Sequence, residues 1–331
     1  MADPRLHGRT VLVTGGAGFV GSHLVDALVD ANEVRVLDNL STGELAHVHD
    51  DATVLQGDVG DASIRERAMV DVDLVFHQAA IVDVPESVAN PRGTHRVNLE
   101  ASLDLLEDAR REAARVVVAS SAAVYGHPDE LPVTEGTPKS PTSPYGVQKL
   151  ALDQYAQVYA RLYDLPTVTL RYFNAYGPRQ RGPYSGVIST FLEQAGAGQP
   201  ITVEGDGEQT RDFVHVADVV RANLLAATTD GVGEAYNVGT GDSTTIGALA
   251  ETIRDATGAD VPIVHREPRE GDVRHSRADV SKARRRLGFE PTIDLESGIR
   301  DLAAPGSAGA HGSTRRPGER SRAHGGDGTG S

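Results

Sequence analysis

Short apolar runs rich in β-branched residues alternate with helix-like stretches through the first half of the chain. The first run spans residues 9–14 and is followed by glycines and by the helix-like stretch of residues 21–29. Further runs cover residues 34–37, 53–55, 74–76, 116–119 and 168–170. Strands that alternate with helices in this way form a parallel sheet with helices on both faces. The pattern therefore predicts an α/β fold with a doubly wound parallel sheet.

The regular alternation weakens from about Gly177 onward, where glycine and proline interrupt shorter segments. We assign residues 1–176 mainly to the sheet domain and residues 177–302 mainly to a smaller substrate-binding domain, with some elements interleaved. Two such lobes enclose a cleft, where ligands commonly bind. Residues 303–331 contain hardly any large apolar side chain, so we predict a disordered tail. Two explanations fit this change in composition. The tail is either native and flexible, or the product of a frameshift in GC-rich DNA that replaced a last helix.

The composition narrows the class of protein. The chain has 331 residues, 39% of them hydrophobic, which is enough for a sizeable core. A net charge of −15 argues against nucleic acid as a partner. The chain has no cysteine, which excludes disulfides, thiol nucleophiles and Cys-ligated metal sites. No apolar run reaches the ~18 residues of a membrane span, so we expect a cytoplasmic protein that does not enter a membrane.

The basic residues are unusual, because Lys139, Lys149 and Lys282 are the only lysines among 32 basic side chains. Codon bias in a GC-rich genome explains arginine in place of lysine, but it does not explain the excess of acidic residues. We therefore favour a halophilic protein, in which salt screens the repulsion between carboxylates. Codon bias alone remains the alternative.

A glycine-rich segment, Gly15-Gly-Ala-Gly-Phe-Val-Gly21, follows the first predicted strand directly. Gly16, Gly18 and Gly21 fit the dinucleotide-binding pattern, and Gly15, Gly18 and Gly21 fit its variant with three-residue spacing. Glycine is needed because the turn is tight and the backbone approaches a pyrophosphate at the amino end of the next helix. The strand, turn and helix together predict a Rossmann-type nucleotide site.

Asp38 ends the second predicted strand, 17 residues after Gly21. A carboxylate at this place can accept hydrogen bonds from both hydroxyls of the adenosine ribose, and it would repel a 2′-phosphate. We therefore predict NAD rather than NADP as the cofactor. Asp58 follows the third strand and is a candidate for the adenine amino group, although a solvated turn explains it equally well.

Tyr145 and Lys149 lie four residues apart, and thus on one face of a helix. A phenol with a pKa of ~10 is a poor base at neutral pH, but a nearby cation favours its phenolate. Ser120 and Ser121 follow a predicted strand at the carboxyl edge of the sheet, where a hydroxyl can bond a reacting oxygen. Tyr-x-x-x-Lys is common on solvated helices, yet Lys149 is one of only three lysines. We predict that Ser121, Tyr145 and Lys149 are catalytic.

These and further motifs resemble the extended short-chain dehydrogenase/reductase superfamily, and within it the NAD-dependent nucleotide-sugar epimerases, most closely the UDP-glucose 4-epimerase group. The resemblance covers roughly residues 8–300. The further motifs are His77-Gln-Ala-Ala80, Ser120-Ser-Ala-Ala-Val-Tyr-Gly126, Arg171-Tyr-Phe-Asn-Ala-Tyr-Gly-Pro178, Gly205-Asp-Gly, Arg211-Asp-Phe213 and Arg269-Glu-Gly-Asp272. Several motifs in a fixed order are far more specific than any one of them.

The resemblance implies reversible oxidation at C4 of a UDP-hexose, either the glucose/galactose pair or the N-acetyl forms, with NAD regenerated in each turnover. Tyr145 would remove the proton of the 4-hydroxyl, Lys149 would hold the cofactor ribose and lower the pKa of Tyr145, and Ser121 would bond the same oxygen. The resemblance also implies a homodimer formed through two helices per subunit, one of which carries Tyr145.

The residues at the family's cofactor positions are Gly15, Gly18, Phe19, Val20, Asp38, Asn39, Asp58, Val59, Ala79, Ala80, Asn98, Tyr145, Lys149, Tyr172 and Phe173. Those at its substrate positions are Ser121, Tyr145, Asn174, Val187, Thr202, Glu204, Arg211, Arg269, Asp272 and Ser276. Among them, the resemblance places Arg211 and Arg269 on the diphosphate and Asp272 on the uridine ribose. No metal site is predicted, because the segment His47-Val-His49-Asp50 has no evident third ligand.

The same resemblance distinguishes the expected epimerase activity from the other activities found in the family. Family dehydratases and decarboxylases typically carry an acid just after the catalytic serine, whereas Ala122 and Ala123 follow here. Asn174 favours a neutral hexose over a glucuronate, and the small Ser276 is compatible with an N-acetyl group. Two alternatives stay open: another nucleotide-sugar dehydratase or reductase, and a non-catalytic NAD-sensing protein.

Overall fold

Strands and helices alternate along the computed structural model, which describes residues 6–180, 186–268, 271 and 273–304. The strands are β1 (Thr10–Thr14), β2 (Glu33–Asp38), β3 (Thr53–Gln56), β4 (Leu74–His77), β5 (Arg115–Ser121), β6 (Thr167–Tyr172), β7 (Asn174–Tyr176), β8 (Ile201–Glu204), β9 (Thr210–Arg211), β10 (Phe213–His215), β11 (Glu234–Val238), β12 (Thr244–Thr245) and β13 (Ile263–Arg266). The helices are α1 (Phe19–Leu28), α2 (Ala62–Met69), α3 (Val84–Ala89), α4 (Pro91–His95), α5 (Ala101–Glu112), α6 (Pro144–Tyr163), α7 (Val187–Gly196), α8 (Val216–Thr228), α9 (Ile246–Thr257), α10 (Ser281–Leu287) and α11 (Leu295–Ala303).

Seven strands form one sheet in the order β11-β6-β5-β4-β1-β2-β3, and every pair of neighbours in it is parallel. Each apolar run singled out in the sequence is a strand of this sheet, and the predicted fold class is confirmed. Strand order reverses at β1, which lies between β2 and β4. Ligands of such sheets bind at this switch point, beyond the carboxyl ends of the strands.

Helices cover both faces of the sheet because its inner strands are apolar on both sides. One core joins Val11 and Val13 of β1 to Leu24 of α1 and Val219 of α8. The core on the other face joins Leu12, Val75, Val116, Leu105 and Leu152 from β1, β4, β5, α5 and α6. Alternate residues of the same strand therefore serve opposite cores, which fixes the register of β1 in the sheet.

A third core holds the smaller lobe together. It packs α7, α9 and α11 against β8 through Phe191, Ile253, Ile299 and Ile201. Helix α11 ends at Ala303, the first residue of the predicted tail, and residues 305–331 lie outside the described part. Within the described ranges, no helix is both long and apolar enough to cross a membrane.

Candidate active site

A cleft of about 430 Å³ opens beyond the carboxyl ends of β1, β2, β4 and β5. It is lined by thirteen of the predicted cofactor residues, which are Gly15, Gly18, Phe19, Val20, Asp38, Asn39, Asp58, Val59, Ala79, Ala80, Tyr145, Lys149 and Tyr172. Its polar lining also includes residues that were not predicted, namely Ser41, Thr42, Glu44, His47, Gln78, Arg179 and Gln180. Most of these lie on the loop after Asp38, and the last two directly follow the motif that ends at Pro178.

The glycine-rich turn brings backbone to the cleft where side chains would not fit. Gly15 has φ +68°, and a Cβ there would lie 2.8 Å from the backbone nitrogen of Ala79. A Cβ on Gly21 would lie 2.1 Å from the carbonyl oxygen of Gly15. Gly18 caps α1 without a side-chain hydrogen bond. The amino end of α1 therefore faces the cleft with room for an anion, as a dinucleotide requires.

Asp38 is held at the cleft by backbone donors. Its Oδ2 accepts from the backbone nitrogen of Ala17 at 2.9 Å, and its Oδ1 accepts from that of Leu40 at 2.8 Å. Asn39 donates to Asp58 Oδ2 at 2.9 Å, which joins the loops after β2 and β3. Both predicted adenosine carboxylates thus line one end of the same cleft, as the binding of NAD requires.

Asn98 and Phe173 do not line the cleft. Asn98 is buried, and its side chain bonds both backbone polar atoms of Ile81, at 2.8 and 2.9 Å, and Gln148 Oε1 at 2.8 Å. It therefore holds the loop after β4 that carries Ala79 and Ala80. Phe173 is buried in an apolar cluster.

The predicted catalytic side chains meet where β5 ends and α6 begins. Ser143 caps α6 by accepting from the backbone nitrogen of Gly146 at 3.1 Å. Within the first turn of the helix, the Tyr145 side chain interacts with that of Ser121, and this interaction lowers the pKa of the phenol. Lys149 Nζ donates to the carbonyl oxygen of Ala119 at 2.8 Å and lies 6.0 Å from the centre of the Tyr145 ring. Tyr145 and Lys149 thus line one corner of the cleft, and Ser121 reaches this corner through its contact with Tyr145.

The electrostatics of this corner correct one expectation. We expected Lys149 to lower the pKa of Tyr145, but burial raises that pKa, and only the hydrogen bond with Ser121 offsets the rise in part. The physical reason is that the ammonium bonds a carbonyl oxygen and stands beside the ring in a buried corner. Burial also lowers the pKa of Lys149 to about 8.

Three consecutive residues of β5 are bonded to α6, at positions one helical turn apart. Ala119 bonds Lys149, Ser121 bonds Tyr145, and Ser120 Oγ donates to Asp153 Oδ2 at 3.3 Å. Asp153 is fully buried and pairs with Arg171 of β6, whose Nε lies 2.7 Å from Oδ2. We call these three contacts the β5–α6 ladder.

His77 supports the cleft from beneath. Its ring nitrogens lie 2.7 Å from Thr14 Oγ1 and 2.7 Å from Ser102 Oγ. Burial, followed by the charge of Lys149, lowers its pKa to about 3. The imidazole is therefore neutral at physiological pH, and it adds no charge beside Lys149.

The predicted substrate residues lie mainly in the smaller lobe, outside the cleft lining. Asn174 is exposed in β7, Val187 begins α7, and Thr202 and Glu204 belong to β8. Arg211 Nη1 donates to the carbonyl oxygen of Thr210 at 2.9 Å, and the same oxygen accepts from the backbone nitrogen of Ser276 at 3.1 Å. Arg269 and Asp272 lie outside the described residues.

Asp212 was not predicted as a functional residue, although the motif Arg211-Asp-Phe213 contains it. Its buried carboxylate accepts from the backbone nitrogens of Thr240, Gly241 and Ala278 at 2.8 to 3.0 Å. The carboxylate therefore ties the strand that carries Arg211 to two other segments of the smaller lobe.

Comparison with known proteins agrees with this geometry. The model of the NAD dependent epimerase/dehydratase family matches residues 11–239, more than half of the chain. The chain belongs to this family. NAD is therefore its cofactor.

This epimerase/dehydratase is similar to several named relatives and solved structures. It is 42% identical over 296 residues to a putative UDP-glucose 4-epimerase of Methanocaldococcus jannaschii, covering 88% of this chain and 96% of that one. A UDP-N-acetylglucosamine 4-epimerase from Methanobrevibacter ruminantium, solved with UDP-N-acetylmuramic acid, matches with a TM-score of 0.86, 39% identity, and 90% and 97% coverage. A UDP-glucose 4-epimerase from Thermus thermophilus, solved with NAD, matches with a TM-score of 0.83, 38% identity, and 89% and 97% coverage.

Proposed function

We propose that this protein is an NAD-dependent 4-epimerase of a UDP-hexose that works by transient oxidation at C4. The observation that carries the proposal is the placement of Tyr145 and Lys149 in the lining of the cofactor cleft, with Lys149 Nζ 6.0 Å from the centre of the Tyr145 ring and bonded to the carbonyl oxygen of Ala119. This arrangement suits the removal of a proton from an alcohol, and it does so next to the site of a hydride acceptor. The 4-epimerases named among its relatives support the same activity.

Each protein group has a separate task in this reaction. The glycine-rich turn and Asp38 would hold NAD, which would supply the acceptor and later the donor of the C4 hydride. Tyr145 takes the proton of the 4-hydroxyl and later gives it back. Ser121 bonds the same sugar oxygen and orients it. Lys149 supplies positive charge beside the phenol, and Asp38 holds the adenosine ribose.

The segment after Ser121 supports epimerisation rather than elimination. Residues Ala122–Val124 form a short 3-10 turn directly after β5. A dehydratase needs a further acid or base beside the sugar ring, and the first two positions of this turn carry only methyl groups. The 4-keto sugar is therefore left to take the hydride back.

We assign the sugar nucleotide to residues 177–302 and the cofactor mainly to residues 1–176. A diphosphate in an acidic protein needs cations, and Arg211, whose Nη1 donates to the carbonyl oxygen of Thr210, would supply one. Arg269 would share the diphosphate, and Asp272 would bind the uridine ribose. Thr202 and Glu204 would flank the uracil, and Val187 would contact the nucleotide. Asn174 and the small Ser276 fit a neutral hexose, with or without an N-acetyl group.

The deciding experiment follows the sugar and the cofactor together. The purified protein in molar KCl is incubated separately with UDP-galactose, UDP-N-acetylglucosamine and UDP-glucuronate, and C4 inversion is followed by NMR while absorbance is read at 340 nm. We expect inversion of a neutral hexose without net reduction of NAD. Accumulation of a 4-keto product, or net absorbance at 340 nm, would instead indicate a dehydratase or a reductase.

We also propose that the enzyme is a cytoplasmic homodimer. One stripe of α6 exposes Val147, Tyr155 and Leu162, which are 53%, 42% and 67% accessible and lie seven or eight residues apart. Such a row of exposed apolar side chains is typical of an interface. Leu162→Glu should halve the mass measured by light scattering, whereas Val70→Glu, at an exposed apolar site at the end of α2, should leave it unchanged.

A further inference from the structure

Arg179 reaches the cofactor cleft from the segment after β7, together with its neighbour Gln180. Its Nη2 lies 2.8 Å from Asp26 Oδ2 on α1, and its Nη1 donates to the carbonyl oxygen of His47 at 3.3 Å. The side chain is only 11% exposed. One guanidinium thus joins α1 to the loop after β2 at the edge of the cleft.

The backbone around Arg179 is held in a costly conformation. Arg179 has φ +66°, a left-handed region that residues with a Cβ rarely adopt. The neighbours on both sides are fixed: His23 Nε2 lies 3.0 Å from the carbonyl oxygen of Pro178, and Gln180 Nε2 donates to that of Ala175 at 3.0 Å. Strain kept in place by such contacts is typical of residues with a functional task.

The charged side chains that line the cleft include one cation that is available to the phosphates of NAD. Among the described lining residues, Lys149 carries an ammonium and Arg179 a guanidinium, and Lys149 is bonded to the carbonyl oxygen of Ala119 beside Tyr145. Carboxylates of the same lining, such as Glu44, oppose an anionic ligand. The dinucleotide brings two negative phosphates, of which the amino end of α1 compensates only a part. Arg179 is the group whose charge fits the remainder.

We propose that Arg179 binds the pyrophosphate of NAD and slows its release, with Asp26 as the residue that positions the guanidinium. A guanidinium has five N–H donors, and the contacts to Asp26 and His47 use two of them. The other donors are available for phosphate oxygens, in the charge-assisted geometry that arginine favours. NAD must break these bonds to leave, which suits an enzyme that regenerates its cofactor in each turnover.

Cofactor exchange tests the proposal without reference to the sugar. The holoprotein is mixed with excess isotopically labelled NAD, and the retained cofactor is followed by mass spectrometry. We expect Arg179→Gln to release NAD at least tenfold faster, Arg179→Lys to lie between it and the wild type, and Asp26→Asn to have a smaller effect than Arg179→Gln. Arg35→Gln is the matched control, because Arg35 is 18% exposed and pairs with Glu33 at 2.7 Å outside the cleft lining. It should release NAD at the wild-type rate.

Two competing ligands separate a phosphate contact from a general loosening of the loop. Arg179→Gln should weaken the binding of ADP-ribose at least tenfold and that of adenosine less than twofold. Unchanged release of NAD, or equal weakening of both ligands, would overturn the proposal. If Arg179→Gln does not fold, the binding of ADP-ribose and adenosine is measured with Asp26→Asn instead. This variant keeps the guanidinium of Arg179 and removes only the carboxylate that positions it. None of these outcomes bears on C4 inversion, so failure here is distinguishable from failure of the proposed function.

Discussion

Tyr145 is buried, and burial raises the pKa of its phenol even though catalysis requires the phenolate. The lowering of the pKa that catalysis needs therefore has to come from the oxidised nicotinamide ring of bound NAD, whose positive charge favours the phenolate. The protein alone therefore keeps its base protonated. We infer that Tyr145 becomes an effective base when the cofactor is in place.

Tyr145→Phe tests the role of the phenol directly. We expect it to retain NAD, because the ring is kept, and to lose epimerisation by ~10²–10⁴-fold, the usual contribution of a general acid–base group. The measurement is C4 inversion by NMR together with the NAD content of the purified protein. Tyr155→Phe is the control on the same helix, since Tyr155 is exposed. Turnover near the wild-type rate in Tyr145→Phe would contradict the assignment.

The lowered pKa of His77 predicts how the stability of the protein changes with pH. Its pKa in the folded protein is about 3, whereas the ordinary value is 6.5. Between these two pH values, His77 is therefore protonated in the unfolded chain and neutral in the folded chain. The contribution of His77 is fully present above pH 6.5 and is lost as pH falls from 6.5 toward 3, with a limiting slope of ~1.4 kcal/mol per pH unit. Urea unfolding measured between pH 4 and 7 should show a shallower loss of stability for His77→Gln. Parallel curves for the two proteins would refute this account.

At the scale of elements, the β5–α6 ladder decides how the catalytic groups are aligned. Ser121 and Tyr145 come from different elements, and their distance depends on how β5 lies against α6. The buried pair of Asp153 and Arg171 fixes that packing two helical turns beyond Tyr145. The pair therefore acts on the site without touching its ligands.

Removing one charge of the Asp153–Arg171 pair should destabilise the protein more than removing both charges. Asp153→Asn leaves the buried charge of Arg171 without a counter-charge, and we expect a loss of ~3–5 kcal/mol in unfolding free energy. The double variant Asp153→Leu with Arg171→Met removes both charges and should be more stable than the single variant. Urea unfolding of the wild type and the two variants checks this order. A single variant as stable as the wild type would show that the pair does not hold the ladder.

Much of this architecture could be predicted from local sequence, and the remainder depends on contacts between distant segments. Apolar runs indicated the strands, and the glycine spacing and the pair of Tyr145 and Lys149 indicated the site, because each depends on residues within a few positions. No local pattern reveals that Asn98 supports the loop after β4 through Ile81, or that Asp26 pairs with Arg179. The pKa of Tyr145 was mispredicted for the same reason, since burial is a property of the folded chain.

At the scale of the whole molecule, a net charge of −15 sets the response to salt. Repulsion between surface carboxylates acts over a Debye length of ~10 Å at 0.1 M salt and only ~3 Å at 1 M. If the acidic composition is a halophilic trait, the melting temperature should rise by several degrees between 0.1 and 2 M KCl. Sorbitol at equal osmolality is the control for preferential exclusion. A melting temperature that does not change with KCl would favour codon bias as the source of the composition.

The scarcity of lysine gives this protein an unusual chemical handle. Lys139, Lys149 and Lys282 are the only lysines, and Lys149 alone among them lines the cofactor cleft. Its pKa of about 8 leaves part of the amine uncharged near neutrality, where acylating reagents react with free amines. Bound NAD would shield it. Peptide mapping gives the acylation rate of Lys149 relative to the rates of Lys139 and Lys282. This relative rate would therefore report the fraction of protein that has no NAD bound, without a label on the cofactor.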